Sequence, residues 1–143
     1  MADTIEKKIY QALLVAVQGI SLPAGWEKAI PGDAYSPTAA SRYVSFEIHF
    51  NRGIETDLSL EMDPIRQGFV RGNVMLPKGR AVVDGYDVAG QVRLAFKRGT
   101  KVYRDEVQVR FDEDPALANL MTSETHFQVP VTAFWKTYPF VPA

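Results

Sequence analysis

A strand, a sharp break and a helix, in that order between Gly68 and Gly99, constrain the fold of this chain more than any other stretch. Phe69-Val70-Arg71-Gly72-Asn73-Val74-Met75-Leu76 favours extended backbone and stops at Pro77-Lys78-Gly79. A helical pattern then opens at Asp84-Gly85-Tyr86-Asp87 and ends at Phe96-Lys97-Arg98-Gly99. Val70, Gly72, Val74 and Leu76 fall on one face of the strand. Val88, Ala89, Val92, Ala95 and Phe96 form one stripe of the helix, with Gly85 beneath them, and such small residues allow a helix to approach a sheet closely. Lys97 and Arg98 complement the negative end of the helix, and Gly99 supplies its stop. Leu94 lies opposite the stripe; it is expected to be exposed and is a candidate contact in an assembly.

The rest of the chain reads as elements that pack on this unit. The spacing predicts a helix over residues 4–18, with Asp3 as its cap, Glu6 closing a capping box and Gly19 as a left-handed stop. Ile5, Ile9, Ala12, Leu13, Ala16 and Ile20 make its core stripe. Tyr10, Leu14 and Val17 make a second strip, covered either by the same domain or by another subunit, so Leu14 is a candidate contact. Residues 21–42 are broken by Pro23, Gly25, Pro31, Gly32 and Pro37, with Trp26 and Tyr35 as anchors and room for a short strand at 26–30. From Tyr43 to Asn51, Val44, Phe46, Ile48 and Phe50 alternate with Ser45, Glu47, His49 and Asn51, the pattern of a strand with one face in the core.

Asn51-Arg52-Gly53 interrupts that alternation, which resumes at Leu58, Leu60 and Met62 and ends at Asp63-Pro64. Residues 52–68 are thus expected to form either a hairpin partner or an arm. Arg52, Glu55, Asp57, Leu58, Leu60 and Glu61 are its candidate partner contacts, because acidic spacers suit a solvated or partner-facing edge. Near the C-terminus, Val107, Val109 and Phe111 mark one strand, residues 116–121 a short helical turn, and Phe127, Val129, Val131, Ala133 and Trp135 a last strand reaching Tyr138. Pro130 lacks a ladder donor and argues for an edge or a bulge there. The expected fold is α+β: a single domain over 1–143, with two helices on one face of a mixed, mostly antiparallel sheet of four to five strands.

Candidate chemistry is sparse. The 143 residues carry a net charge of −1, too weak a field to make nucleic acid an obligate partner. The absence of cysteine excludes disulfide and thiolate chemistry. Two histidines, His49 and His126, lack the paired spacing of a metal site. Asp112-Glu113-Asp114-Pro115 lacks the spaced ligands of a calcium loop and reads as a solvated turn. There is no nucleophile elbow, dinucleotide fingerprint or phosphate loop. A hydrolase would have to be built on His49 and a nearby carboxylate. Lys97, Arg98, Lys101 and Arg104, with Tyr103 among them, could touch a nucleic-acid backbone, but Asp105 and Glu106 follow at once, so the run reads as a solvated helix end and turn. The reading is a protein with no enzymatic activity, cofactor or metal. Its longest apolar run, Ala12–Val17, is too short to span a membrane, and Asp3 and Glu6 make a poor signal peptide, so cytoplasmic synthesis is expected.

The order of elements resembles that of the tail-terminator-like proteins of tailed phages and prophages, the minor tail protein U type. The resemblance rests on Ile5–Leu13, the Pro-rich stretch around Trp26, Tyr43-Val44-Ser45-Phe46 and Gly68-Phe69-Val70-Arg71-Gly72. It continues through the Pro-Lys-Gly break, Phe96-Lys97-Arg98-Gly99-Thr100 and Val129-Pro130-Val131. It implies a structural virion protein, assembled in the bacterial cytoplasm, that closes as a hexameric ring on the tail tube, ends polymerisation and forms the head–tail joining surface. The implied partners are further copies of itself, the tail tube protein and the head–tail connector protein. DNA would be met only by passage through the ring, and no membrane is involved. The resemblance carries no catalytic residues; Phe69, Gly72, Phe96 and Gly99 are its structural positions. A small adaptor that docks one protein partner without forming rings is the alternative.

Overall fold

The computed structural model describes residues 4–32, 37, 41–54, 65–79, 82–123 and 125–137, with backbone only at 52–54 and 65. Helix α1 (Ile5–Gln18) is capped by Thr4, whose Oγ1 accepts from the Lys7 N–H at 3.3 Å. Asp3, the expected cap, lies outside the described residues. Gly19 ends α1 with φ −81°, a right-handed rather than the expected left-handed stop. The last carbonyls are taken up instead by Lys28, whose Nζ donates to Gln18 O at 2.8 Å and Val17 O at 3.4 Å. A cation placed there complements the helix dipole. Burial pushes the Lys28 ammonium below its ordinary range.

Strands β1 (Glu27–Ala29), β2 (Tyr43–Ile54) and β3 (Ile65–Pro77) precede helix α2 (Val82–Ala95). After it come β4 (Lys101–Arg104), β5 (Val107–Arg110), β6 (Ala116–Leu117), β7 (Met121–Thr122) and β8 (His126–Thr137). The strand order is β1-β2-β3-β8-β5-β4, with β6 and β7 also paired to β8. Among the described residues β1–β2 pairs in parallel, and the other pairs are antiparallel.

The mixed α+β class agrees with expectation, but among the described residues the sheet has eight strands rather than four or five. Two of the additions are the two-residue strands β6 and β7, which replace the helical turn expected at 116–121. A third is β4, which forms a hairpin with β5 around Asp105, whose φ is 54°.

Pro130 lies within the long central strand β8, opposite Asn73, with no register shift. Its carbonyl accepts from Ala118 N at 2.9 Å. In an antiparallel strand a residue's N and O point the same way. The missing donor of Pro130 therefore faces Ala118, which would continue the β6–β8 register, and the ladder of β6 stops there.

Both helices cover the same face of the sheet and share one core. Ile9, Leu13 and Val17 from α1, Val88, Ala89, Val92 from α2, and Val44, Val70, Val74, Val129, Val131 and Trp135 from the central strands are all buried in it. Just beyond α2, Phe96 packs on Phe111 with ring centroids 5.1 Å apart. Gly72 makes the close contact of α2 possible: a Cβ there would stand 3.1 Å from both Phe46 and Val92.

Candidate assembly surfaces

The two helices present different outer sides. α1 is tied down by long-range polar contacts: Lys8 with Glu106 at 2.7 Å, Glu6 with Arg66 at 3.2 Å, and Arg104 with Gln11 at 3.2 Å. Val17, expected in a second strip, is fully buried, and Tyr10 and Leu14 are half-buried, so Leu14 offers only part of its side chain. Val15 is the exposed apolar residue of this helix.

On α2, Leu94 is 55% exposed, as its position opposite the core stripe predicts. Val83 at 76% and Tyr86 at 42% accompany it. At 100° per residue, Val83, Tyr86, Gly90 and Leu94 fall on one stripe diametrically opposite Val88, Ala89 and Val92. α2 is apolar on both sides, and the core of the described residues covers one.

The arm residues divide. Arg52 stands near the end of β2, where the register with β3 shifts between Asn51 and Ile54. Pairing resumes at Ile54↔Ile65, so both ends of the 52–68 stretch belong to one β2–β3 hairpin. Glu55, Asp57, Leu58, Leu60 and Glu61 lie outside the described residues.

A second surface is assembled only by the fold: the face of β2, β3 and β8 turned away from the helices. Register places His49 beside Phe69 and Phe69 beside Phe134. His49 stacks on Phe69 at 4.5 Å, Phe134 meets Phe69 edge-on at 6.2 Å, and the Arg71 guanidinium lies 4.8 Å over the Phe69 ring. One step along the strands, Lys101, Arg110 and Lys136 align across β4, β5 and β8, with Arg110 paired to Asp112 at 3.3 Å.

One step the other way, Glu47 accepts from Asn73 at 2.8 Å and meets His49 at 3.2 Å, while Gln128 donates to Asn73 at 2.9 Å. Burial pushes the Glu47 carboxyl up, but the bonds from Asn73 and His49 and the charges of His49 and Arg71 outweigh it and hold it below the usual range.

A signal for this surface existed. Phe69 and Phe134 are large aromatics out of phase with the core residues of their strands.

The histidines have structural surroundings. His49 belongs to the ladder just described. His126 is buried, with Nε2 2.8 Å from the Ser41 carbonyl and Nδ1 2.8 Å from the Thr125 hydroxyl. A carbonyl only accepts, so Nε2 carries the hydrogen. The ring fastens residue 41 to the start of β8. Among the described residues, no three His, Asp or Glu side chains converge to hold a metal, and no helix is long and apolar enough to cross a membrane.

This is an α+β chain whose notable features are surfaces and ladders, the profile of an assembly component. The chain belongs to the phage tail terminator protein family, whose model matches residues 8–135. That family is a structural, non-enzymatic kind of phage tail protein that works among other tail proteins. A solved structure shares the fold: TM-score 0.68 at 18% identity, covering 97% of this chain and 96% of that one. No curated protein matches the chain by sequence.

Proposed function

We propose that this chain caps the phage tail tube as a closed ring, probing the end of the growing tube by shape and stopping its polymerisation. The outer side of the ring would then form the surface joined to the head–tail connector. The observation that carries this reading is the family match over residues 8–135. Two uncovered apolar surfaces on one small chain support it, since a subunit in a ring needs two contact patches. Partners are further copies of this chain, the tube protein and the connector, with DNA passing through the ring. The reading places the protein in the virion tail after assembly in the bacterial cytoplasm.

The test is assembly of tube protein with and without this chain, followed by electron microscopy. The expected result is tubes of defined length bearing a ring of six subunits at one end. Tubes that grow on unchanged, with no density at their ends, would refute it.

A further inference from the structure

The two uncovered apolar surfaces lie on opposite sides of the subunit. Val92 of α2 packs toward Gly72 on the inner face of β3, whereas Phe69 and Phe134 stand on the outer face of β3 and β8. The sheet and the body of α2 therefore separate the Val83–Tyr86–Leu94 stripe from the aromatic row. Patches so opposed cannot both be satisfied by one two-fold contact. They suit head-to-tail packing, which closes into a ring when the rotation between subunits allows.

We propose that α2 of one subunit lies across the outer sheet face of the next, its Tyr86–Leu94 stripe over Phe69 and Phe134. The inference rests on the ring reading and names the contact that builds the ring. Charge complementarity selects a second copy as the occupant. The stripe is flanked by Asp87 near the start of α2, where Asp84 also lies, and by Arg93 near its end, with Lys97 and Arg98 just beyond. The sheet face is basic at one end, with Lys136 and Lys101 beside the Arg110–Asp112 pair, and at the other end carries Glu47 opposite Arg71, with no excess of positive charge.

The spans agree. From Asp84 or Asp87 to Lys97 is about 15–20 Å of helix at 1.5 Å per residue. From the Lys136–Arg110 pair to Glu47 is about 16–20 Å, counting four residues along a strand and two to three strands across. Gly90 falls mid-stripe, where a Cβ would meet nothing within 4 Å of its own chain. The gap leaves a shallow seat for the Phe134 ring, which is 45% exposed.

The absence of cysteine makes the test clean. Subunits carrying Leu94→Cys are mixed with subunits carrying Phe134→Cys, assembled on tube ends and treated with a mild oxidant that takes the two thiol hydrogens. Both positions are exposed in the single chain, so folding is retained, which melting curves check.

The expected product is a disulfide-linked pair containing one chain of each kind, at least tenfold over either variant alone. Rings that form without that product, or that link Leu94→Cys to itself, overturn the proposed contact and leave the ring reading standing. If neither rings nor caps form with the unaltered chain, the ring reading falls and takes the contact with it. An independent readout uses charge. Asp87→Lys and Lys136→Glu should each raise the concentration needed for ring closure about tenfold or more, and both in one chain should restore it. Unchanged assembly in the two single variants overturns the contact.

Discussion

The two helices differ in what covers them, and the difference separates folding from assembly. Both bury a full inner stripe in the same core. α1 is then fastened from outside by Lys8–Glu106, Glu6–Arg66 and Arg104–Gln11. α2 presents Val83, Tyr86 and Leu94 instead, and its side-chain bond on that side, Gln91 to Asp87 at 3.3 Å, stays within the helix. A helix tied to its own chain contributes stability and little else. A helix with a second apolar side holds contact area in reserve. On their inner sides the two should behave alike, and this is the first place to break the comparison. Leu13→Ala under α1 and Phe96→Ala at the end of α2 each remove a side chain exposed 2% or less, and each should cost about 2–5 kcal/mol in urea unfolding. A loss under 1 kcal/mol at Phe96 would mean that α2 is not part of the core that holds α1.

The inner stripes were also what the sequence declared most plainly. Period 3.6 in α1 and α2, and period 2 in β2, β3 and β8, placed most core residues on their correct faces, Gly85 included, but Val17, expected in the second strip of α1, is fully buried, and Phe50, expected in the core, is 43% exposed. What escaped was of two kinds. β4 contributes one core-facing apolar residue, Val102, within a basic run, and β6 and β7 are two residues long, too short to carry a period. They exist because β8 is long enough to be paired in turn by β5, β6 and β7 along one edge. The outer sheet face escaped for a different reason. His49, Phe69 and Phe134, and equally Lys101, Arg110 and Lys136, are far apart in sequence and are brought together only by register. Among the candidate contacts, the exposure of Leu94 was legible because helical spacing alone fixes its side. The partial burial of Leu14 was not legible, since the β4–β5 hairpin packs on α1 and carries no signal in the spacing of α1.

Two glycines against and along α2 sharpen the comparison with opposite signs. At Gly72 an added Cβ would press on Phe46 and Val92 at 3.1 Å, and both neighbours are buried and unable to retreat. Gly72→Ala should therefore destabilise by about 1–3 kcal/mol through overpacking. At Gly90, on the outer stripe, the same change meets nothing within 4 Å. Gly90→Ala should stabilise the isolated subunit by about 0.5–1 kcal/mol, because glycine in a helix interior loses more backbone freedom on folding. Chemical unfolding of the monomer reads both. If Gly90→Ala also destabilises, the outer stripe is already occupied by the subunit's own chain.

The smallest effect lies on the outer sheet face and depends on pH. The folded carboxyl of Glu47 is held below its ordinary value by Asn73, His49 and Arg71. A carboxyl depressed in the folded state binds its proton more readily in the unfolded state. Its contribution is thus present above the ordinary carboxylate range and is lost as pH falls through the folded value. Glu47 and His49 are each about two-fifths exposed, at 41% and 44%, so solvent screening keeps this contribution below about 1 kcal/mol. Glu47→Gln keeps the shape and removes the titration. Unfolding measured at about pH 7 and about pH 3 should show a shallower loss of stability in the variant than in the unaltered chain. Identical slopes would mean that the ladder of Asn73, Glu47 and His49 does not hold the carboxylate, and that the outer face is ordered by its aromatic row alone.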